Sequence, residues 1–336
     1  MATTHLGTGL YVDDTLNLTV RRDLPIPKPA ADEILVEMLY SGATPADTKH
    51  ATQLDIRPAV LGYDFLGKVL KIARQCHRFH PGETVAGYTP TGLTRTTKYG
   101  THQSYLACPE KMAFRVPAAL PFPDAAALTV DVMTAADALF NLFGIPLPQE
   151  ESRSVGLCAV QLARASGVSP ILMTASPQRH ALPTELGATR CFDYRSPHGI
   201  EESDTIVAYG TDAVGSVPQT EDFSATLLVR CLAPEADLVS LVVQDAPRFC
   251  VPIATPNRDV TVRVVKVRPI NISARPADFE RAWRVLEWAI RGYGVRFRLP
   301  RDEVFGESTE DALEELMGLA EGGRRLGKVV LRHPLA

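Results

Sequence analysis

The feature that most constrains this chain is a helix pattern that no strand precedes. Apolar residues recur at the i, i+3, i+4, i+7 and i+8 spacing of one helix stripe, at Val155, Cys158, Ala159, Leu162 and Ala163. Hydroxyl residues suited to the N-cap come before this stripe, and a glycine suited to a left-handed stop comes after it. An apolar run of strand length follows at residues 170–175. A helix leading into a strand is typical of a doubly wound sheet, which presents helix N-termini to phosphate groups.

The strand that should lead into this helix is missing from the pattern. A nucleotide-binding turn follows an apolar strand, but residues 142–151 hold two prolines and two acids, and proline cannot donate to an interior ladder. The sequence therefore predicts a sheet without its first strand and without the leading glycines of the phosphate loop. At about 25 cal/mol per Å², exposing a few hundred Å² of apolar surface costs a free energy comparable with the total folding stability. Either the sheet rearranges, or a segment of a longer protein is absent.

The composition limits the class of protein. The chain has 336 residues, 45% hydrophobic and 22% charged, with a formal net charge of −4. This length suits two domains, and the charge gives no reason to expect nucleic-acid or membrane-surface binding. We expect a cytoplasmic protein, because no apolar stretch has membrane-spanning length and no signal sequence is recognisable. The six cysteines form no C-x-x-C pair, so we expect reduced, mostly buried thiols rather than a structural zinc cluster.

The remaining pattern divides into a β-rich part and an alternating part. Residues 8–120 read as short strands and glycine turns, with the clearest strand at 33–42 and a turn or short helix at 44–49. Residues 124–142 read as a helix, and helix and strand alternate over 152–265. Two amphipathic helices, at 281–290 and 311–319, and a closing strand at 327–332 complete the chain.

Taken in order, these segments resemble the medium-chain dehydrogenase/reductase superfamily. The resemblance is carried by Gly-Tyr-Asp-Phe-Leu-Gly at 62–67, Pro-Gly-Glu-Thr-Val-Ala-Gly at 81–87, the helix at 154–163, Glu-Leu-Gly-Ala at 185–188 and Gly-Lys-Val-Val-Leu at 327–331. Segments 44–49, 176–179 and 192–197 make it most similar to fungal trans-acting enoyl reductases of polyketide biosynthesis. The resemblance implies an α/β fold, with a GroES-like domain at 1–123 and 266–336 and a truncated Rossmann-type domain at 124–265.

The resemblance also implies chemistry without zinc. The family's first-ligand region reads Ser-Gly-Ala-Thr at 41–44, and its Gly-His-Glu motif reads Gly62-Tyr63-Asp64 here. Catalytic zinc needs about three protein ligands, usually including Cys or His, and those residues are replaced at these positions.

The expected cofactor is NADPH. An NAD site has an acid about 20 residues past the glycine loop, but residues 174–179 hold no acid and offer Arg179 to a 2′-phosphate. The alternative is a solvated arginine at a helix start. The resemblance implies a set of cofactor contacts, with Tyr194 framing the adenosine: Ala46, Asp47, Thr48, Lys49, Ser152, Arg153, Ser154, Val155, Ser176, Gln178, Arg179, Tyr194 and Leu241.

Two catalytic residues follow from the resemblance. Lys49 would lie near the nicotinamide and stabilise enolate charge; the alternative is an exposed loop lysine. Thr134 would orient an amide or carbonyl; the alternative is a helix threonine bonded to its own turn. Four histidines, at positions 77, 80, 102 and 180, have no partners at catalytic spacing, and we expect them to be structural or solvated. The spacing suggests no Ser-His-Asp arrangement and no metal site.

The sequence is compatible with two functions. The first is an NADPH-dependent enoyl reductase that works in trans on a carrier-tethered intermediate of an iterative polyketide synthase or a synthase–peptide synthetase hybrid. The second is a cyclase or isomerase on a polyketide-derived substrate that has lost the dinucleotide. The missing strand favours the second, and Lys49, Thr134, Arg179 and Tyr194 favour the first. We expect a monomer.

Overall fold

The computed structural model describes residues 6–90, 95–148, 158–196, 207–212, 228, 232–240, 263–265, 272, 275–300, 303–320 and 328–335. The chain divides into two compact units, one made of residues 1–131 and 299–336 and the other of residues 132–298. The described strands are β1 Leu6–Val12, β2 Leu18–Pro25, β3 Glu33–Ala43, β4 Ala59–Val60, β5 Asp64–Ile72, β6 Thr84–Tyr88, β7 Tyr105–Pro109, β8 Ala113–Arg115, β9 Leu172–Thr174, β10 Arg190–Phe192, β11 Val207–Asp212, β12 Leu232–Ser240, β13 Arg263–Val265, β14 Glu303–Phe305 and β15 Val329–Arg332. The longer helices are α1 Ala46–Gln53, α2 Phe122–Ala136, α3 Cys158–Ala165, α4 Ala181–Glu185, α5 Pro276–Arg291 and α6 Thr309–Ala320.

The first unit is built on a mixed seven-stranded sheet. Its strands follow the order β14-β15-β3-β5-β6-β8, and β7 pairs with β3 off this path. A second sheet has the order β2-β1-β4. The long strand β3 bends at two register shifts against β5, which lets it pair with β7 along one half and with β15 along the other.

Helix α1 is held in this unit by an apolar core. Ala51 on its buried face packs in one cluster with residues of β1, β3, β15 and α6, which include Leu10, Ala43, Leu316 and Leu331. These side chains are at most 4% exposed, so the position of α1 is fixed by burial on several sides. This packing sets the orientation of the residues on its other faces.

The second unit contains the alternating part of the chain, and its strands pair in parallel. Strand β9 pairs with β10, and β11, β12 and β13 follow one another in a separate three-stranded sheet. Helix α3 ends before Gly167, whose φ of +79° is the left-handed stop that the sequence predicts. Helix α5 packs on the π-helical turn 137–142, where Arg275 bridges Asp137 and Asp278.

The break between these two sheets falls where the missing strand would lie. A doubly wound sheet has the order 3-2-1-4-5-6, so β9 and β10 match strands 2 and 3, and β11 to β13 match strands 4 to 6. Within the described ranges no ladder joins β9 to β11, and residues 143–148 form no strand. Instead, Phe143 packs its ring on Tyr209 of β11, with the two centroids 5.0 Å apart. Residues 149–157 lie outside the described ranges.

The structure gives the boundaries of the two units along the chain. The boundaries between the units fall at residues 131/132 and 298/299, whereas the sequence predicts domain boundaries at 123/124 and 265/266. Helix α5 belongs to the second unit because its N-terminal part is bonded to residues 137–142. The helical segment 122–142 is long and apolar enough to cross a membrane, but 72% of its apolar window is buried in the fold, as in a core helix. The four described cysteines form no disulfide, and two of them, Cys76 and Cys108, are buried.

Candidate functional site

A carboxylate fixes the start of helix α1. Both oxygens of Asp47 accept hydrogen bonds from Thr44, one from its backbone N–H at 2.7 Å and the other from its hydroxyl at 3.2 Å. Pro45 occupies the N-cap position. The negative charge also lies in the first turn, where the helix dipole favours it. The sequence Thr-Pro-x-Asp therefore sets where the helix begins, and with it the direction of Lys49.

A buried chain of hydrogen bonds continues from Asp47 to the C-terminal part of the protein. His102 Nε2 lies 3.1 Å from Asp47 Oδ2, and Ser41 Oγ lies 2.8 Å from both His102 Nδ1 and His333 Nε2. The carboxylate can only accept, so His102 donates from Nε2, and in the neutral ring Nδ1 then accepts the Ser41 hydroxyl proton. Ser41 then accepts from His333 Nε2, which leaves His333 Nδ1 as a bare acceptor. That nitrogen is indeed buried without a partner.

This chain corrects one expectation from the sequence. The spacing suggested no Ser-His-Asp arrangement, yet Ser41, His102 and Asp47 form one. It is not a nucleophilic triad, because Ser41 and His102 are fully buried and the serine hydroxyl is shared with His333. We interpret it as a positioning network for α1. Asp47 itself is 3% exposed with both oxygens occupied, so its side chain positions the helix rather than contacting a cofactor.

Helix α1 has a half-buried face beside its buried one. Ala46, Lys49 and His50 lie at i, i+3 and i+4, so they share one face. On the buried side, the hydroxyl of Thr48 has no hydrogen-bond partner among the residues that the structure describes. A buried hydroxyl without a partner is costly, and it is a free donor or acceptor for a group that the fold would bind here.

His50 is joined to a buried tyrosine, whose ring faces a partly buried arginine. Its Nδ1 lies 2.7 Å from the Tyr63 hydroxyl, and the rings meet edge to face with their centroids 5.3 Å apart. Gly62, at φ +90°, turns the chain into Tyr63, and a Cβ at Gly62 would come within 2.3 Å of Thr101 Oγ1. The Arg95 guanidinium lies 4.2 Å from the centroid of the Tyr63 ring. Burial raises the pKa of Tyr63 to about 12 and lowers that of His50 to about 4.

Acid should destabilise the first unit through two histidines, the buried His333 and the partly buried His50. Burial lowers the pKa of His50 to about 4 and that of His333 to about 3, from 6.5. The unfolded chain takes up these protons first, so stability present above pH 6.5 is lost as the pH falls toward 4. The loss is up to about 1.4 kcal/mol per pH unit for each histidine, and Asp64, whose pKa burial raises to about 7, offsets part of it because the folded state takes up its proton first. Urea titrations at several pH values should show it, and His50→Asn should reduce the slope whereas the exposed His77→Asn should not. A flat profile would contradict this assignment.

Asp64 replaces the acid of the family's Gly-His-Glu motif and makes a buried ion pair. Lys328 Nζ donates to Asp64 Oδ2, to the Ala127 carbonyl at 2.7 Å and to Asp131 at 3.1 Å. The other oxygen of Asp64 accepts the Val130 N–H at 2.7 Å. Burial raises the pKa of Asp64 to about 7. Burial also works against the charge of Lys328, but the carboxylates of Asp131 and Asp64 raise its pKa above the ordinary value.

In the second unit, four predicted cofactor residues collect at one sheet edge. Ser176, Gln178 and Arg179 follow the carboxyl end of β9, and Tyr194 follows that of β10. Because β9 and β10 are neighbours and parallel, these ends share an edge, which is where doubly wound sheets bind ligands. Tyr194 is 47% exposed, and the described residues after β9 include no acid before residue 185. The residues present fit a phosphorylated ribose.

The other predicted contacts are not brought into these two groups. Thr134 is exposed on α2, and its hydroxyl makes no hydrogen bond to the described part of the chain, so it does not bond to its own turn. Ser152, Arg153, Ser154, Val155 and Leu241 lie outside the described residues. Within those same ranges, no group of three His, Cys, Asp or Glu side chains could hold a metal ion.

Comparison with known folds decides the architecture. Residues 30–118 match the alcohol dehydrogenase GroES-like domain. The quinone oxidoreductase of Pseudomonas syringae pv. Tomato DC3000 aligns over 97% of this chain and 100% of its own, with a TM-score of 0.74 at 18% identity. The chain has the fold of the medium-chain dehydrogenase/reductase superfamily. A structure described as a zinc-binding dehydrogenase from Sinorhizobium meliloti 1021, bound to NADP, aligns over 97% of this chain and 99% of its own, with a TM-score of 0.63 at 18% identity.

In sequence, the chain is similar to fungal enoyl reductases. The trans-enoyl reductase himH of Aspergillus japonicus is 31% identical over 209 residues, which cover 56% of this chain and 60% of himH. The enoyl reductase component lovC of the lovastatin nonaketide synthase, from Aspergillus terreus, is 28% identical over 235 residues, or 63% of this chain and 64% of lovC. The chain thus spans less than two thirds of the length of each of these two relatives.

Proposed function

We propose that this chain is an NADPH-dependent enoyl reductase that acts in trans on a carrier-tethered polyketide intermediate. The observation that carries the proposal is the placement of Lys49 on the half-buried face of α1, whose start is fixed by the buried Asp47 network. Among the described residues Lys49 has no acidic partner to neutralise it. The names of himH and lovC support the same activity.

In this proposal the chain's own side chains bind the cofactor and polarise the carbonyl of the substrate. When bound, the reduced nicotinamide supplies a hydride to the β-carbon of the substrate. The Lys49 ammonium meets the carbonyl oxygen, where negative charge develops as the enolate forms, and a fixed charge in that place lowers the barrier. Thr48 offers its unpartnered hydroxyl to the nicotinamide end. Thr134 orients a carbonyl or amide, and Tyr194 frames the adenosine.

In the second unit, the residues after β9 bind the phosphate end of the cofactor in this proposal. Ser176, Gln178 and Arg179 hold the 2′-phosphate, and the segment 152–155 with Leu241 completes the cofactor contacts. The partner is an iterative polyketide synthase or a synthase–peptide synthetase hybrid, and the reductase works as a cytoplasmic monomer. A tethered substrate arrives at high effective concentration, so weak affinity for the free substrate suffices.

Removal of the Arg179 charge should change dinucleotide preference. Arg179→Ala should weaken NADPH binding about 10- to 100-fold, the value of one charge-assisted hydrogen bond, and leave NADH binding nearly unchanged. Calorimetric titration of both dinucleotides measures the two Kd values. Arg190→Ala is the matched control, because Arg190 is exposed at the opposite end of β10. Equal losses for NADPH and NADH would remove Arg179 from the 2′-phosphate site.

A second function is favoured by one observation, the break between β9 and β11 where the first strand would lie. A chain whose phosphate loop no longer binds a dinucleotide would serve as a cyclase or isomerase, which positions its substrate without a cofactor. One assay separates the two functions. A crotonyl thioester of N-acetylcysteamine should be saturated only when NADPH is present; turnover of a polyene thioester to an isomer or ring without NADPH would support the second function instead.

A further inference from the structure

The reduction needs a proton as well as a hydride, and the first unit holds a pair of side chains suited to deliver it. His50 Nδ1 and the Tyr63 hydroxyl are 2.7 Å apart. Tyr63 is 2% exposed, whereas His50 is only partly buried. Tyr63 also stands at the sequence position where the zinc-dependent branch keeps a histidine ligand. The pair therefore joins a buried phenol to an imidazole near the surface of α1.

His50 lies beside the lysine that carries the proposed function. Ala46, Lys49 and His50 share the half-buried face of α1. Within the described residues, His50 Nε2 makes no hydrogen bond, since the contact to Tyr63 uses Nδ1. Lys49 and His50 are neighbours in the chain on this face, so a substrate whose carbonyl meets Lys49 would lie beside the His50 ring.

The charges around the pair favour proton transfer through a His50 ring that stays neutral. The Arg95 guanidinium faces the Tyr63 ring at 4.2 Å and is held by the Tyr99 carbonyl at 2.6 Å and the Thr89 hydroxyl at 3.0 Å. Burial lowers the pKa of His50, and the Arg95 charge adds to this effect while Asp47 opposes it. An imidazolium is therefore unfavourable. Burial raises the pKa of Tyr63 to about 12, and the Arg95 charge opposes this rise, so the cation offsets part of the cost of a tyrosinate. His50 is best able to pass a proton by losing one at Nε2 while gaining one at Nδ1.

Resting on the proposed function, we propose that His50 and Tyr63 form the proton donor to the α-carbon of the substrate. After hydride addition at the β-carbon, the enolate electrons form the Cα–H bond as the His50 Nε2–H bond breaks. The Tyr63 hydroxyl proton moves to Nδ1 in the same step, and the tyrosinate stays opposite Arg95. Water then returns a proton to Nε2 and the Nδ1 proton returns to Tyr63. One proton from water is consumed per hydride transferred. His50 is the catalytic residue, and Tyr63 acts through it.

The stereochemistry of α-protonation tests this donor. With NADPH and an α-methyl enoyl thioester, the wild-type chain should give one enantiomer at the α-carbon. Tyr63→Phe keeps the ring against Arg95, and His50→Asn keeps a polar group for the Tyr63 hydroxyl, but neither can relay a proton. Both variants should lower product formation by about 100-fold or more and give a mixture of enantiomers, because water protonates either face. Lys49→Met should also be slow but should retain a single enantiomer.

A measurement without cofactor or substrate separates this inference from the proposed function. Nitrogen-15 NMR of the His50 ring near neutral pH should show the neutral tautomer with the proton on Nε2, and Tyr63→Phe should shift the Nδ1 resonance by removing its donor. The proton on Nδ1 would overturn the relay, and so would a single enantiomer at wild-type rate from both variants. A wild-type chain that reduces no enoyl thioester would instead refute the proposed function and the relay with it.

Discussion

Replacing Lys49 by methionine should lower kcat for reduction of an enoyl thioester by about 100- to 1,000-fold. Loss of one preorganised donor to a developing oxyanion costs about 3–4 kcal/mol of transition-state stabilisation. The Lys49 side chain is half-buried on α1, whose first turn is locked by Asp47. Its charge is thus held in place before the reaction begins. Methionine keeps most of the packing of the lysine stem, so the loss reports the charge.

Substrate and cofactor binding should respond much less to this change. Steady-state assays should place the effect in kcat, because the charge on the carbonyl oxygen develops in the transition state. Lys71→Met is the matched control, since Lys71 is an exposed lysine of β5. Wild-type kcat in Lys49→Met would remove the lysine from the chemistry. A loss confined to KM would assign it to ground-state binding of the substrate.

Replacing Lys328 by methionine should have the largest effect on stability. Removing one partner of a buried ion pair costs about 3–5 kcal/mol, because the other charge is left uncompensated. Asp64 is fully buried and Lys328 is also bonded to Ala127 and Asp131 on α2. The cluster therefore ties β5 and the residue before β15 to that helix. Urea titration followed by circular dichroism measures the loss; both tryptophans lie on α5, in the second unit, and do not report on it.

A double variant distinguishes lost pairing from lost packing. Asp64→Asn combined with Lys328→Met removes both charges, so it should recover part of the stability that Lys328→Met loses. Lys68→Met, at an exposed position of β5, should change the free energy of unfolding by less than about 0.5 kcal/mol. A Lys328→Met variant as stable as Lys68→Met would contradict the assignment of the cluster as the anchor of this region.

The sequence predicted those parts of the fold that local patterns encode. The strand expected at 33–42 is β3, the turn or short helix at 44–49 opens α1, and the helix stripe that ends at Gly167 is α3 in its described part. The interruption before this helix was also predicted, from two prolines and two acids. In the described sheets it appears as the break between β9 and β11.

The polar networks could not be predicted, because their members are far apart in the chain. Ser41 and His333 are 292 positions apart, and Asp64 and Lys328 are 264 positions apart. No spacing rule connects such residues; only the pairing of β15 with β3, which sets Leu331 opposite Ser41, brings them together. The His50–Tyr63 pair had a local signal, since tyrosine stood in place of a ligand histidine, but its partner is visible only once α1 is folded.

The proposed function depends on one property, that the second unit binds NADPH although its described strands form two separate sheets. Titration of the wild-type chain with NADPH, followed by nicotinamide fluorescence, tests it directly. We predict saturable binding with a Kd below about 1 mM, within the range of ordinary enzyme–ligand affinities, and weaker binding of NADH. No saturation by NADPH at that concentration would contradict the account, and the fold would then host a reaction that needs no dinucleotide.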